Sequence, residues 1–369
     1  MPAKYAGGDF PGSPPRAGNR PRRMFSAVLL YAGIDEAGYG PLLGPLCVGC
    51  AAFELDDARD AAPGVPPPCL WKHLRTAVCR AGNDRRGRIA VEDSKKLKGA
   101  KDAAAHPLRH LERGVTAFAA AACAGTDATA ADFPTDATLL AALGAPVTPA
   151  DGPWHGSALA LPVGNDAAAL RIAGAMLRTA LAKSGTRVAA LRVEAIGPTS
   201  LNAQAARIGN KATINFMAAM RHVDRVRTEA ARSGRAAWIA LDRQGGRTAY
   251  LDTLRTSFPD ARLAVLEESD ATARYRLAWA ATRDLPAHEA VVSFELGGEE
   301  RNLPIALASM AAKFVRELHM RRLNAYFAGY VPGLAPTAGY VQDGRRFLDD
   351  VGDAPERLGI PRDALVRAL

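Results

Sequence analysis

The sequence predicts an α/β protein, and three observations carry that prediction. Apolar runs too short for buried helices, such as Ala27–Ile34, Leu46–Phe53 and Trp238–Leu241, end abruptly in acids or glycines, as strands do. Longer stretches with helical periodicity alternate with them. The clearest is Lys211–Ala231, with Ile214, Met217, Met220, Val223 and Val226 on one side. The 369 residues are 48 % apolar, enough for a sizeable core in one large or two ordinary domains.

A formal net charge of +9 suits a polyanionic partner such as a nucleic acid, although an arginine- and alanine-rich composition alone is weak evidence. Five cysteines, an odd number, do not suggest a disulfide framework. Cys47-x-x-Cys50 lies inside an expected strand with no second ligand pair at zinc spacing, so buried thiols are expected there. The first 26 residues read as a disordered basic tail without the apolar core of a signal peptide. No apolar run has the length of a membrane span. A monomer in the cytoplasm, with no membrane partner, is the expectation.

In chain order, the first expected strand delivers two adjacent carboxylates, Asp35 and Glu36, into the turn Gly38-Tyr39-Gly40-Pro41. Adjacent acids at a buried strand end are costly unless something positive lies between them, and a divalent cation is the simplest remedy. The glycines free backbone N–H groups for close approach by a ligand. Together these features suggest a metal and a phosphate-bearing substrate, with an ordinary acidic hairpin as the plain alternative. A dinucleotide fingerprint also nearly fits Gly38-x-Gly40-x-x-x-Gly44. It needs a helix to follow, whereas Pro41, Pro45 and the run Leu46–Phe53 read as strand.

Beyond a proline-rich excursion at 56–68, Trp71–Arg80 reads as a short helix and Arg88–Val91 as a strand. Asp93 or Ser94 then caps a helix that presents Lys95 and Lys96. Leu108–Cys123 and Ala167–Lys183 read as helices, with Thr135–Gly164 irregular between them. Arg187–Ile196 alternates as a strand. Trp238–Asp242 is again a strand ending in an acid. A helix at Tyr250–Phe258 and a strand at Ala261–Leu266 lead to Asp270. Ala290–Leu296 and Gly297-Gly298 suggest a hairpin. Leu303–Glu317 reads as an amphipathic helix, and Tyr340 precedes another at Gly344–Val351.

These pieces resemble, in order, the motifs of type 2 ribonucleases H. Asp35-Glu-Ala-Gly-Tyr-Gly-Pro-Leu-Leu-Gly-Pro45 is similar to that family's Asp-Glu-x-Gly-Arg-Gly-Pro-x-x-Gly-Pro, with Tyr39 where the family has arginine. Asp93-Ser-Lys-Lys-Leu97, the aspartate of Trp238–Asp242, and Phe258-Pro259 followed by Asp270 resemble the next three, with Glu268 where the family has lysine. Ala308-Ser-Met-Ala-Ala-Lys-Phe-Val-Arg-Glu317 and Gly339-Tyr340 resemble the last. Asp35 and Asp242 are 207 residues apart, more than is usual in the family.

The resemblance implies a ribonuclease H-like mixed sheet flanked by helices over residues 27–330. An insertion at about 99–185 and an inserted hairpin at about 271–301 would interrupt it, and a C-terminal helical extension would cover 331–369. It implies Asp35, Glu36, Asp242 and Asp270 as catalytic ligands of two Mg²⁺ or Mn²⁺ ions. Gly38, Tyr39, Gly40, Ser94, Lys95, Lys96, Lys313, Arg316 and Tyr340 would bind an RNA–DNA hybrid or ribonucleotide-containing duplex DNA. The implied reaction cuts RNA, leaving 5′-phosphate and 3′-hydroxyl ends, with the Tyr39 departure bearing on single embedded ribonucleotides. A relative that binds nucleic acid without cutting it is the alternative.

Overall fold

A computed structural model describes residues 28–56, 65–98, 105–123 and 132–368. The expected basic tail, and parts of the expected insertion, lie outside the described residues. In chain order come β1 (Leu29–Ala37), β2 (Leu46–Leu55), α1 (Leu70–His73), β3 (Val78–Cys79), β4 (Ile89–Ala90), α2 (Ser94–Leu97), α3 (Arg109–Ala122), α4 (Asp136–Ala142) and α5 (Ala167–Ser184). They are followed by β5 (Thr186–Ile196), α6 (Pro198–Ile208), α7 (Lys211–Arg232), β6 (Ala236–Asp242), α8 (Leu251–Ser257), β7 (Arg262–Glu268), β8 (Thr272–Trp279) and β9 (His288–Glu295). The last elements are α9 (Gly298–Arg301), α10 (Leu303–Ala328), α11 (Val341–Val351), α12 (Ala354–Arg357) and α13 (Arg362–Leu365).

Seven strands form one mixed sheet in the order β5-β2-β1-β6-β9-β8-β7. β1, β6 and β9 run parallel, while β2, β5, β8 and β7 join antiparallel at the flanks. The period-2 alternation of β1 divides its side chains between two cores. Leu29 and Tyr31 enter one core with α3, α5 and α10, and Leu30, Ala32 and Ile34 enter the other with α7 and α8. The structure is therefore α/β, a mixed sheet covered on both faces, with further helices at the C-terminal end.

α10 is the central helix. Ala306, Ala308, Ala311 and Ala312 are fully buried, so the helix reads as apolar nearly all round rather than on one stripe. It lies so close to the sheet that a β-carbon on Gly33 would stand 2.1 Å from the Ile305 nitrogen, and one on Gly49 would stand 2.2 Å from the Ala308 oxygen. Only glycine fits at either position.

Two expectations change here. The stretch 271–301 does contain a hairpin, but β9 is a central strand paired in parallel with β6, not an appendage. Its residues Ala290 to Phe294 are buried on both faces, whereas β7 is a largely exposed edge strand. The described part of 99–185 packs against the sheet. α3 and α5 fill the α10-side core, where the Phe118 ring meets Phe53 edge-on at 6.0 Å. α4, within a stretch expected to be irregular, starts at a Thr135–Thr138 capping box. It is tied to α10 by a buried bidentate pair, Arg322 donating to both Asp136 oxygens at 2.6 and 2.7 Å.

Candidate active site

The three parallel strands end side by side, with Ile34 opposite Leu241 and Asp242 opposite Glu295. Crevices at the carboxyl ends of parallel strands are where open α/β sheets bind ligands. A cleft of about 250 Å³ opens there, lined by Asp35, Glu36, Asp242 and Glu299 together with the 37–41 turn, Ser94, Lys95, Ser309, Lys313 and Tyr340.

Burial, and then the charges of Glu36, Glu299 and Asp242, push the Asp35 carboxyl well above the ordinary carboxylate range; Asp35 also shares a hydrogen bond with Glu299. Burial raises Glu36 as well, opposed by a hydrogen bond from the Asn215 side chain on α7. Burial raises Asp242, although its Oδ1 accepts the Gly298 N–H at 2.8 Å. Glu299 is held by the Ser309 hydroxyl, which donates to its Oε1 at 2.5 Å and lies 3.1 Å from the Ser94 hydroxyl. Four carboxyls gathered in one cleft offer an all-oxygen donor set, the kind that hard divalent cations take. Among the described residues, no three His, Cys, Asp or Glu side chains already surround a metal position. The donor chemistry fits such ions, and to hold them Asp35 and Glu299 would give up their mutual hydrogen bond.

The fourth acid of the cleft is thus Glu299, which the sequence reading missed, and not Asp270. Asp270 is exposed in the turn between β7 and β8, at the far edge of the sheet from β1. The signal for Glu299 was present: a strand, the glycine pair Gly297-Gly298, then an acid, much like the turn that follows Glu36. Asn215 and Ser309 also gave no separate sign of their place at the acids.

Lys95 stands exposed on the cleft, positioned by Asp93, whose Oδ1 accepts the Lys95 N–H at 2.8 Å as the α2 cap. Lys96 is turned away from the cleft, its ammonium 2.8 Å from Glu300. Lys313 lines the cleft, bridged to Glu317 at 3.2 Å. Arg316, expected to touch substrate, is fully buried beneath the turn. It donates to the Ala338 and Leu43 carbonyls at 2.9 and 3.2 Å, so its role is to brace.

Gly38 needs to be glycine twice over: its φ is +85°, and a β-carbon would meet the Arg316 side chain at 2.6 Å. Gly40 is different. Its φ is not positive and a β-carbon there would meet nothing within 4 Å. The C-terminal segment holds the turn from outside. Leu42 and Leu43 N–H groups donate to the Gly339 carbonyl at 2.8 and 3.0 Å. Buried Arg367 donates to the Gly38 and Gly44 carbonyls, each at 2.6 Å.

No family model and no curated protein matches the chain. Solved structures similar to it include the ribonuclease HII of Archaeoglobus fulgidus in its complex with PCNA, 16 % identical over 92 % of this chain and 93 % of that one, with a TM-score of 0.35. Bst ribonuclease HIII with Mn²⁺ is 14 % identical over 96 % of this chain and 72 % of its own, with a TM-score of 0.38. The ribonuclease H2 of Pyrococcus horikoshii OT3 is 13 % identical over 91 % and 92 %, with a TM-score of 0.36. At those values the fold is defined by the chain's own strand order and register.

Proposed function

We propose that the protein is a metal-dependent endonuclease of the type 2 ribonuclease H kind, cutting the RNA strand of RNA–DNA hybrids or a ribonucleotide embedded in duplex DNA. One observation carries the reading. The acids of the first and third motifs, Asp35, Glu36 and Asp242, meet with Glu299 in one cleft, walled by the glycine turn and by Lys95, Lys313 and Tyr340 from the other motifs.

Two Mg²⁺ or Mn²⁺ ions bound by these carboxylates would supply Lewis acidity to the scissile phosphate and lower the pKa of the attacking water. The chain does the rest. Asp35, Glu36, Asp242 and Glu299 would hold the ions, and the Asn215 side chain, hydrogen-bonded to Glu36, keeps it oriented. The backbone of Gly38–Gly40 meets the ribose 2′-hydroxyl, the group that separates RNA from DNA. Lys95 and Lys313 neutralise backbone phosphate, and the half-exposed Tyr340 ring offers a face to a sugar.

The test uses purified protein with Mg²⁺ or Mn²⁺ and three labelled duplexes: RNA–DNA hybrid, DNA with one ribonucleotide, and plain DNA. Cutting of the first two only, lost in Asp35→Asn, is the expected result. Binding without cutting under either metal would favour the second reading, a non-cutting nucleic-acid binder, which the existing Asp35–Glu299 hydrogen bond allows.

A further inference from the structure

Tyr39 is an exposed aromatic side chain on the rim of the acidic cleft. Its ring is covered from outside by the Lys211 ammonium, 4.7 Å from the ring centroid. Lys211 is the first residue of α7, a 22-residue helix whose first turn contains no acid and whose Asn210 cap accepts the Thr213 N–H at 2.7 Å. Among the described residues Lys211 has no carboxylate partner, unlike Lys96, Lys98 and Lys313, each of which pairs with a glutamate. Burial, and then the charge of Arg367 beneath the same turn, lower the Lys211 ammonium. An ammonium held on a ring face at a helix N-terminus, with no carboxylate pairing it among the described residues, keeps its donors free for an anion.

We propose that Lys211 and Tyr39 form a phosphate site that takes a backbone phosphate of the bound nucleic acid at the cleft edge. The ring of Tyr39 sets the height and direction of the ammonium, and Lys211 makes the contact. This rests on the nucleic-acid reading of the cleft. It also accounts for a glycine turn that carries an aromatic side chain at its centre: the cation arrives from a different element.

The test measures binding of a fluorescent RNA–DNA hybrid across a salt series, in full-length Asp35→Asn protein so that nothing is cut. Lys211→Met should weaken binding roughly three- to tenfold at low salt. It should also make the slope of log affinity against log salt shallower by about 0.7–0.9, the signature of one lost phosphate contact. Lys211→Arg should keep both values. Tyr39→Ala should cost as much as Lys211→Met, and the double variant no more than either alone, because the two act as one unit. An unchanged slope and affinity in Lys211→Met, with Lys211-intact protein still cutting hybrid in an Asp35-dependent way, would overturn the phosphate site and leave the nuclease reading standing. A chain that neither binds nor cuts hybrid would overturn both.

Discussion

Glu299 and Asp270 are both acids a few residues beyond a strand, but their surroundings differ. Glu299 accepts from Ser309 and acts on Asp35, Glu36 and Asp242, while Asp270 points to solvent at the sheet edge. Glu299→Gln should therefore lower kcat on RNA–DNA hybrid by roughly 10²-fold or more, and Asp270→Asn should stay within about twofold, as single-turnover cleavage would show. The reverse pattern would restore Asp270 to the site. The two glycines of the turn separate in the same way. Gly38→Ala strains the backbone and strikes Arg316, so it should lower thermal stability. Gly40→Ala meets nothing within the protein, so it should leave stability unchanged and weaken hybrid binding. Asp35, Glu36 and Asp242 were legible in the sequence because each sits within its strand's last residues. Glu299 follows a strand and a glycine pair in the same way, but it could not be told from Asp270, because local pattern does not say whether β7 or β9 lies against β6. That is decided by which strand is apolar on both faces, a property of the packed sheet.

At the level of elements, α10 governs the site through its distance from the sheet. It carries Ser309 and Lys313 to the cleft and Arg316 beneath the turn, and its height is set by Gly33 and Gly49. Gly49→Ala places a methyl against a helix carbonyl, where no flexible side chain can yield. It should cost roughly 1–3 kcal/mol in denaturant unfolding and reduce cleavage together with stability. Gly197→Ala, whose β-carbon meets nothing within 4 Å, is the control and should stay within about 0.5 kcal/mol. The sequence revealed the helix and its small residues, but not its burial on nearly every side. An amphipathic reading of Leu303–Glu317 assumes a solvent face, and α3 packs against α10 with α5 behind it. Nor did sequence spacing reveal α3 and α5 as core, since a long interval between motifs looks the same whether it packs inside or hangs outside.

Across the whole molecule, three buried histidines contribute a loss of stability in acid. Burial pushes His155 and His222 down to about 4 and His319 to about 3, and the His155 and His319 rings lie 5.0 Å apart. Between those values and the ordinary histidine range near 6.5, the unfolded chain binds protons that the folded chain refuses. The histidine contribution to stability is then full above about pH 6.5 and falls as pH drops toward 4, approaching about 1.4 kcal/mol per pH unit for each histidine, while the raised carboxyls of Asp35, Glu36 and Asp242 act in the opposite sense. Thermal scans from pH 7 to 4.5 should show the fall. A folded His319→Gln variant should show a shallower one, and an equal slope would mean that His319 does not contribute.

The braces on the turn have a further meaning in time. Arg367 holds the Gly38 carbonyl from 329 residues downstream, and the Gly339 carbonyl anchors Leu42 and Leu43. A ribosome that has completed all four acids must still make residues 337–367, several seconds of work at about 5–20 residues per second, before the glycine turn can be locked. Protein ending at residue 335 should keep the seven-stranded sheet by circular dichroism yet fail to cut hybrid. Until residues 337–367 are made, the four carboxyls would stand beside a glycine turn that nothing yet braces.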